Sequence, residues 1–281
     1  MTGTAHAPRS TRRARRRALS DGTPWALRLP ALVAVLFLLL PLAALIVRAP
    51  WSEMGVILTD SGVTPALRLS LLCATAATAI SLVIGVPLAW VLARSRLPGM
   101  GVLRALVTLP LVLPPVVGGV ALLLALGRNG LVGAHLNEWF GFTIPFTTLA
   151  VIIAETFVAM PFLVVTVSGA FAAADRGYEE AAATLGASRL HTFTRVTLPL
   201  VAPSLAAGTV LCWARALGEF GATITFAGSF PGRTETMPLA VYLAMESNPD
   251  AAIALSLVLL TVCVAVLVLL RNRWLPAGGS L

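Results

Sequence analysis

An all-α polytopic membrane protein is the fold class this sequence predicts, and three observations predict it. The 281-residue chain is 58% hydrophobic and only 11% charged, with a mean hydropathy of +0.90, whereas soluble domains carry about a quarter charged residues. Several apolar runs are long enough to cross a hydrocarbon core, which takes about 20 residues per helix. Arginines gather in alternate connections, the charge asymmetry that sets membrane topology.

Six spans are expected, at about 30–47, 66–93, 101–126, 147–173, 201–227 and 251–270. Backbone groups in lipid must be satisfied internally, so each should be a helix. They form one six-helix transmembrane domain over 25–275, with a basic tail at 1–24 and a short tail at 276–281. The first tail is rich in Arg, Ser and Thr with almost no large apolar side chains, the composition of a disordered segment. The net charge of +8 does not point to nucleic acid, because seven of the twenty basic residues lie in the first 28 positions. That cluster, Arg12 to Arg17 included, reads as a cytoplasmic anchor to anionic membrane lipid. A twin-arginine export signal fits less well, since the apolar run after it is long and no small-residue cleavage site closes it.

Orientation follows from the connections. With the N-terminus inside, the inner side receives the seven tail arginines, Arg94, Arg96, Arg104, Arg176, Arg189, Arg195, Arg271 and Arg273, and the outer side only Arg48, Arg128 and Arg233. Both termini are therefore expected in the cytoplasm of a multi-pass plasma-membrane protein. The outer connections carry the punctuation of short ordered loops, Gly127-Arg-Asn-Gly130 with Gly133, and Gly228-Ser-Phe-Pro-Gly232. Trp51, Trp139, Phe140, Phe142 and Tyr242 lie near expected interfaces, where amphipathic rings collect.

All the basic residues are Arg. Without a Lys the chain cannot build a G-x-x-x-x-G-K-[ST] phosphate loop, whose Lys reaches the terminal phosphates. Any nucleotide chemistry that drives this protein therefore belongs to another polypeptide, and no cofactor is expected on this one. Cys73, Cys212 and Cys263 sit singly in apolar sequence, and His6, His135 and His191 are scattered. Small core hydrophobes are the reading for the cysteines, and no metal-ligand spacing is present.

One polar, patterned stretch stands between apolar ones: Glu180-Ala-Ala-Ala-Thr-Leu-Gly186, followed nine residues later by Val196-Thr-Leu-Pro199. Ala-rich sequence favours a short helix, Gly186 can end it at positive φ, and Pro199 can open the next. A plain solvated interhelical loop is the bland reading. Within the spans, Pro110, Pro114, Pro115 and Gly118 make the third too broken for a straight helix. They predict a kink, either lining a cavity or serving packing alone.

In the fifth span Arg215 and Glu219 are four residues apart and share a helix face, flanked by Gly218 and Gly221. Each charge costs about 2.5 kcal/mol or more at the bilayer centre, so that face must look into protein or a watery cavity. Two readings stand: a mutual salt bridge that fastens helices, or an Arg215 that adds positive potential along an anion path. Glu155 is isolated in the apolar fourth span, where protonation, a hydrogen bond or a dimer cavity could accommodate it.

The stretch through Glu180, Ala181, Ala182, Gly186, Leu198 and Pro199, with Val196 in place of the usual Ile, resembles the cytoplasmic EAA loop of ABC importer permeases, here about 174–200. Further pieces resemble the permeases of molybdate importers over roughly 60–270: Leu109 to Gly118, Gly127 to Gly130, Arg215 to Phe226 and Pro231 to Pro238. Sulfate and tungstate permeases are similar in the Leu-Gly-Glu-Phe-Gly-Ala region, so that piece marks an oxyanion group.

The resemblance implies a type I ABC importer permease, present as a homodimer, in a prokaryotic inner membrane. It implies two ATP-binding subunits holding ATP and Mg, and an extracytoplasmic oxyanion-binding protein. Sulfate/thiosulfate or tungstate transport is the alternative, and sulfate systems typically pair two different permeases. A membrane-embedded enzyme using Glu155, Glu219 and Arg215 is the remote one, since no nucleophile-and-base pair accompanies those charges. A channel or scaffold would leave the patterned loop unexplained.

Overall fold

The computed structural model describes residues 25–59, 62–95 and 98–274. The two expected tails, 1–24 and 276–281, lie outside the described residues. Every regular element among those residues is helical. The chain divides into two units, residues 1–49 and 50–281.

The first unit holds α1, Trp25–Val47. Apart from Arg28 its side chains are apolar, and nearly all are exposed, Phe37 and Leu40 among them.

In the second unit, α2 (Met54–Leu58) leads to α3 (Val63–Arg94), 32 residues long. Ala66, Ser70, Cys73, Ala77, Ser81, Gly85 and Ala89 recur every three or four residues along α3 and are buried. Small side chains let backbones approach, and close packing drives helix association in lipid. Against this stripe lies α7, Thr148–Ala173. A Cβ at Gly85 would stand 3.2 Å from the Val164 side chain and 3.3 Å from Met160. On α11, Ala202–Leu217, Gly208 makes the same approach to Leu163 and Thr166. These three helices enclose the main core around Leu163, Val167, Phe171 and Leu217. Hydroxyls within it are satisfied in their own helices: Thr78 donates to Ala74 O and Ser81 to Ala77 O, both at 2.7 Å.

The third expected span is not one helix. It divides into α4 (Met100–Val112) and α5 (Pro115–Leu126), bent by 117°. Leu113 and Pro114 are both extended, with ψ 129 and 131, because a residue before proline is pushed out of the helical region. Two successive prolines therefore make a break where a kink was expected, and Pro115 opens α5 as a first-turn proline can.

The fifth span is also corrected. Instead of running through 201–227, α11 stops at Leu217 and a separate α12, Gly221–Ala227, follows after Gly218, Glu219 and Phe220. At its other end α11 meets the preceding helical stretch at 77°. Two further helices stand in connections read as loops, α6 (Gly133–Phe140) and α13 (Met237–Ser247). Both are too short to register as spans. The chain closes on α14, Pro249–Trp274. Among the described residues four helices are long and apolar enough to cross a bilayer, and up to six spans result if each bent pair counts as one.

Candidate coupling loop and pathway residues

Between α7 and α11 the patterned stretch folds into a short helix, a tight stop and a second turn. The Asp175 carboxylate accepts the Gly177 N–H at 2.9 Å, and α8 runs over Gly177–Thr184. Glu179 and Glu180 lie in its first turn, where carboxylates complement the helix dipole. Gly186 adopts φ +82. There its N–H reaches Ala183 O at 3.0 Å and the Ala187 N–H reaches Ala182 O at 3.1 Å, the paired bonds of a Schellman stop. The expected glycine terminator is thus observed. The Ser188 hydroxyl accepts the His191 N–H to cap α9, Arg189–Thr192.

A single wide π turn follows at Phe193–Thr197, then α10, Leu198–Leu200. Pro199 has no N–H to give, and a local change of helical pitch accommodates such a residue.

The motif residues divide by exposure. Glu180, Ala181, Gly186 and Pro199 are exposed, while Ala182, Val196 and Leu198 are half-buried. Beside them Leu185 is 89% exposed, Leu190 73% and Tyr178 58%. Three large apolar side chains on a polar loop mark a contact surface. Sequence pattern alone passed over Leu185 and Leu190, because the motif leaves their positions unspecified. It also passed over Glu179, which forms an ion pair with Arg94 at 2.8 Å and accepts the Thr197 hydroxyl at 3.0 Å.

Most of the pathway candidates converge around α12. Arg215 Nη2 lies 2.6 Å from Glu219 Oε2, an ionic contact rather than an aligned hydrogen bond. Glu219 Oε1 accepts the Ala222 N–H at 2.8 Å, which caps the head of α12. Both readings of this pair assumed a continuous helix, and the pair instead sits at a break. Gly221 lies against α5: a Cβ there would stand 2.8 Å from Pro115 Cβ and 3.2 Å from Val116 N. The reciprocal position is Gly119, whose Cβ would meet Thr225 Cβ at 2.7 Å and Ala222 O at 2.9 Å.

Gly118 faces the Phe157 ring of α7, with 3.2 Å available to a Cβ. Glu155 is buried on the same helix. Pro114 and Gly218 are exposed at the two breaks, and Pro110 is a half-buried interior residue of α4. Among the described residues no three His, Cys, Asp or Glu side chains gather as a metal site.

Hydroxyls help to hold the connection before α13 in place. Phe230 O accepts the N–H groups of Arg233, Thr234 and Glu235 around Gly232, which has φ +71. The Ser70 hydroxyl of α3 accepts the Met237 N–H at 2.7 Å, and the Thr148 hydroxyl of α7 donates to Arg233 O.

A three-helix core of small residues, two sharply bent helix pairs and a patterned polar loop between spans define a type I ABC importer permease fold. The profile of the family described as binding-protein-dependent transport system inner membrane component matches residues 81–275, and the chain belongs to that family. It is 50% identical over 250 residues to the molybdenum transport system permease protein ModB of Mycobacterium tuberculosis, covering 89% of this chain and 94% of that one. Identity to the ModB of Escherichia coli is 41% over 210 residues, covering 75% and 92%. The sulfate transport system permease protein CysT of Salmonella typhimurium is 38% identical over 233 residues, covering 82% and 84%.

Among solved structures, a bacterial ABC transporter involved in the import of the acidic polysaccharide alginate superposes with a TM-score of 0.69 at 18% identity, covering 95% of this chain and 98% of that one. The MetNI methionine ABC transporter in inward-facing conformations gives 0.56 at 19%, covering 75% and 91%. At these identities the likeness is one of fold.

Proposed function

We propose that this chain is the permease subunit of an ATP-driven molybdate importer. It would act as a homodimer in a prokaryotic inner membrane with both termini cytoplasmic. The observation that carries the cargo assignment is the 50% identity to a molybdenum permease across nearly the full length of both chains. The sulfate permease, at 38%, is the alternative.

Two ATP-binding subunits would hold ATP and Mg and dock on the exposed face of α8 and α9. Tyr178, Leu185 and Leu190 supply apolar contact area there, Glu180 a polar contact, and Ala181 and Gly186 room for close approach. An extracytoplasmic oxyanion-binding protein would deliver the anion. The alginate transporter, of like fold, was solved with a pentasaccharide-bound periplasmic protein.

Energetics favour active transport. A dianion entering a negative interior costs about 4.6 kcal/mol per 100 mV, twice the value for one charge. Passive conduction runs outward, so inward transport requires coupling to hydrolysis. In alternating access, movement of the docked subunits is passed through α8 to the spans, which swing about the breaks at Pro114 and at Gly218 to Phe220. Specificity can reside in the delivering protein, so a tight anion site on this chain is not required.

Co-expression with the ATP-binding subunit of a molybdate importer tests the assignment. Stable co-purification is expected, and ATP-dependent molybdate accumulation in proteoliposomes once the delivering protein is added. Activity of the isolated chain without an ATPase partner would favour the membrane-enzyme reading instead.

A further inference from the structure

The coupling helix is tied to the spans through one carboxylate oxygen. Arg94 closes the last turn of α3, and its Nη2 lies 2.8 Å from Glu179 Oε1, with side-chain exposures of 8% and 24%. The same Nη2 donates to Ala174 O at 3.4 Å, where α7 ends. The Thr197 hydroxyl, in the π turn leading to α11, donates to the same Glu179 oxygen at 3.0 Å. Glu179 thus ties α8 to the end of α3 and to the π turn that precedes α10 and α11, and Arg94 extends the tie to the end of α7. Arg94 Nε has no hydrogen-bond partner among the described residues, so Nη2 alone makes the contact.

No residue of α8 is buried. Behind the helix lies a cavity of about 250 Å³ bordered by Trp90, Glu179, Ala183, Phe193 and Thr197. The π turn, by contrast, packs its Phe193 ring edge-on against Trp90 at 5.8 Å and beside Phe171 at 6.1 Å. The turn is therefore fixed to α3 and α7 by aromatic contacts. Among the described residues, the side-chain hydrogen bonds from α8 to other elements both end on Glu179. A helix with no buried side chain is held to the spans largely through its polar tie.

We infer that Glu179, with Arg94 and Thr197, is the positioning residue that transmits movement of the coupling helix to the spans. This rests on the importer reading above. Glu180, one residue on, projects outward to the docked partner, whereas Glu179 points back to the helix ends. The adjacent glutamates would divide docking from transmission.

The test compares uptake per ATP hydrolysed in proteoliposomes carrying the permease, the ATP-binding subunits and the delivering protein, for wild type, Glu179→Gln and the swap Arg94→Glu with Glu179→Arg. A hydrogen-bonded charge is involved, so Glu179→Gln is expected to lower the ratio about tenfold while the complex still assembles. The swap restores the ion pair but not the Ala174 and Thr197 bonds of the wild type, so it should recover part of that loss. A wild-type ratio in Glu179→Gln, or a swap no better than the single variant, overturns the inference. So does loss of the ATP-binding subunit from Glu179→Gln, which would assign the residue to docking. Wild-type complex without ATP-driven uptake would remove the importer reading itself, and this inference with it.

Discussion

Glu219 serves two elements at once: Oε2 lies 2.6 Å from Arg215 Nη2 on α11, and Oε1 accepts the Ala222 N–H of α12 at 2.8 Å. The Glu219 side chain is only 1% exposed and that of Arg215 is 26% exposed. The two partners are therefore not equivalent. Replacing Arg215 with Gln strands a buried carboxylate, a change that costs up to about 3 kcal/mol where the lost partner is largely desolvated. Replacing Glu219 with Gln leaves an amide oxygen to accept from Ala222 and an arginine that water can reach. Thermal unfolding in detergent should show the larger loss for Arg215→Gln. The opposite order would mean that Arg215 contributes little to holding the break.

Transport separates the two readings of the same pair. If Arg215 adds positive potential along the anion path, Arg215→Gln lowers uptake in protein that is still folded. Unchanged uptake and ATPase coupling would confine the pair to fastening α11 to α12.

The crossing of α5 and α12 makes a steric prediction. Gly119→Ala and Gly221→Ala each place a methyl within 2.7 to 2.8 Å of a carbon on the facing helix. Overpacking of this kind costs about 1–3 kcal/mol. Gly218→Ala meets only Ala214 O, at 3.5 Å, and should be nearly silent. Melting temperatures of the three variants check the contrast.

Gly186 tests backbone conformation without crowding, since a Cβ there has nothing within 4 Å. At φ +82 a β-branched residue is strained by about 1–2 kcal/mol, while Asn tolerates that region better. Gly186→Val should abolish uptake with the permease still folded in the membrane, and Gly186→Asn should retain part of it. Equal uptake in both would show that the turn is not what matters.

The exposed leucines predict a docking phenotype. Burying a leucine is worth about 1.5–3 kcal/mol, so Leu185→Ser combined with Leu190→Ser should weaken co-purification of the ATP-binding subunit by more than tenfold. The isolated permease should melt as before, because neither side chain is packed in the free chain.

Much of this was legible in the sequence because hydropathy and charge in membranes follow few rules. The long apolar helices α1, α3, α7 and α14 fall close to where composition put them, and Gly186 ends α8 as its residue type predicts. The bent pairs were not fully legible. Prolines 114 and 115 announced a kink, but a 117° break depends on what receives the turned helix, here the small surface at Gly221 and Ala222. The break after Leu217 was hidden by apolar continuity, since Glu219 read as a face partner of Arg215 rather than as a cap. Glu179 was invisible for a similar reason, because its partners Arg94 and Thr197 lie 85 and 18 residues away.

Uptake of labelled molybdate into proteoliposomes carrying the permease, its ATP-binding subunit and the delivering protein decides whether this chain is an ATP-driven permease for molybdate. Uptake should require ATP, be abolished by unlabelled molybdate and survive excess sulfate. Sulfate competing as well as molybdate, or accumulation without ATP, would contradict it.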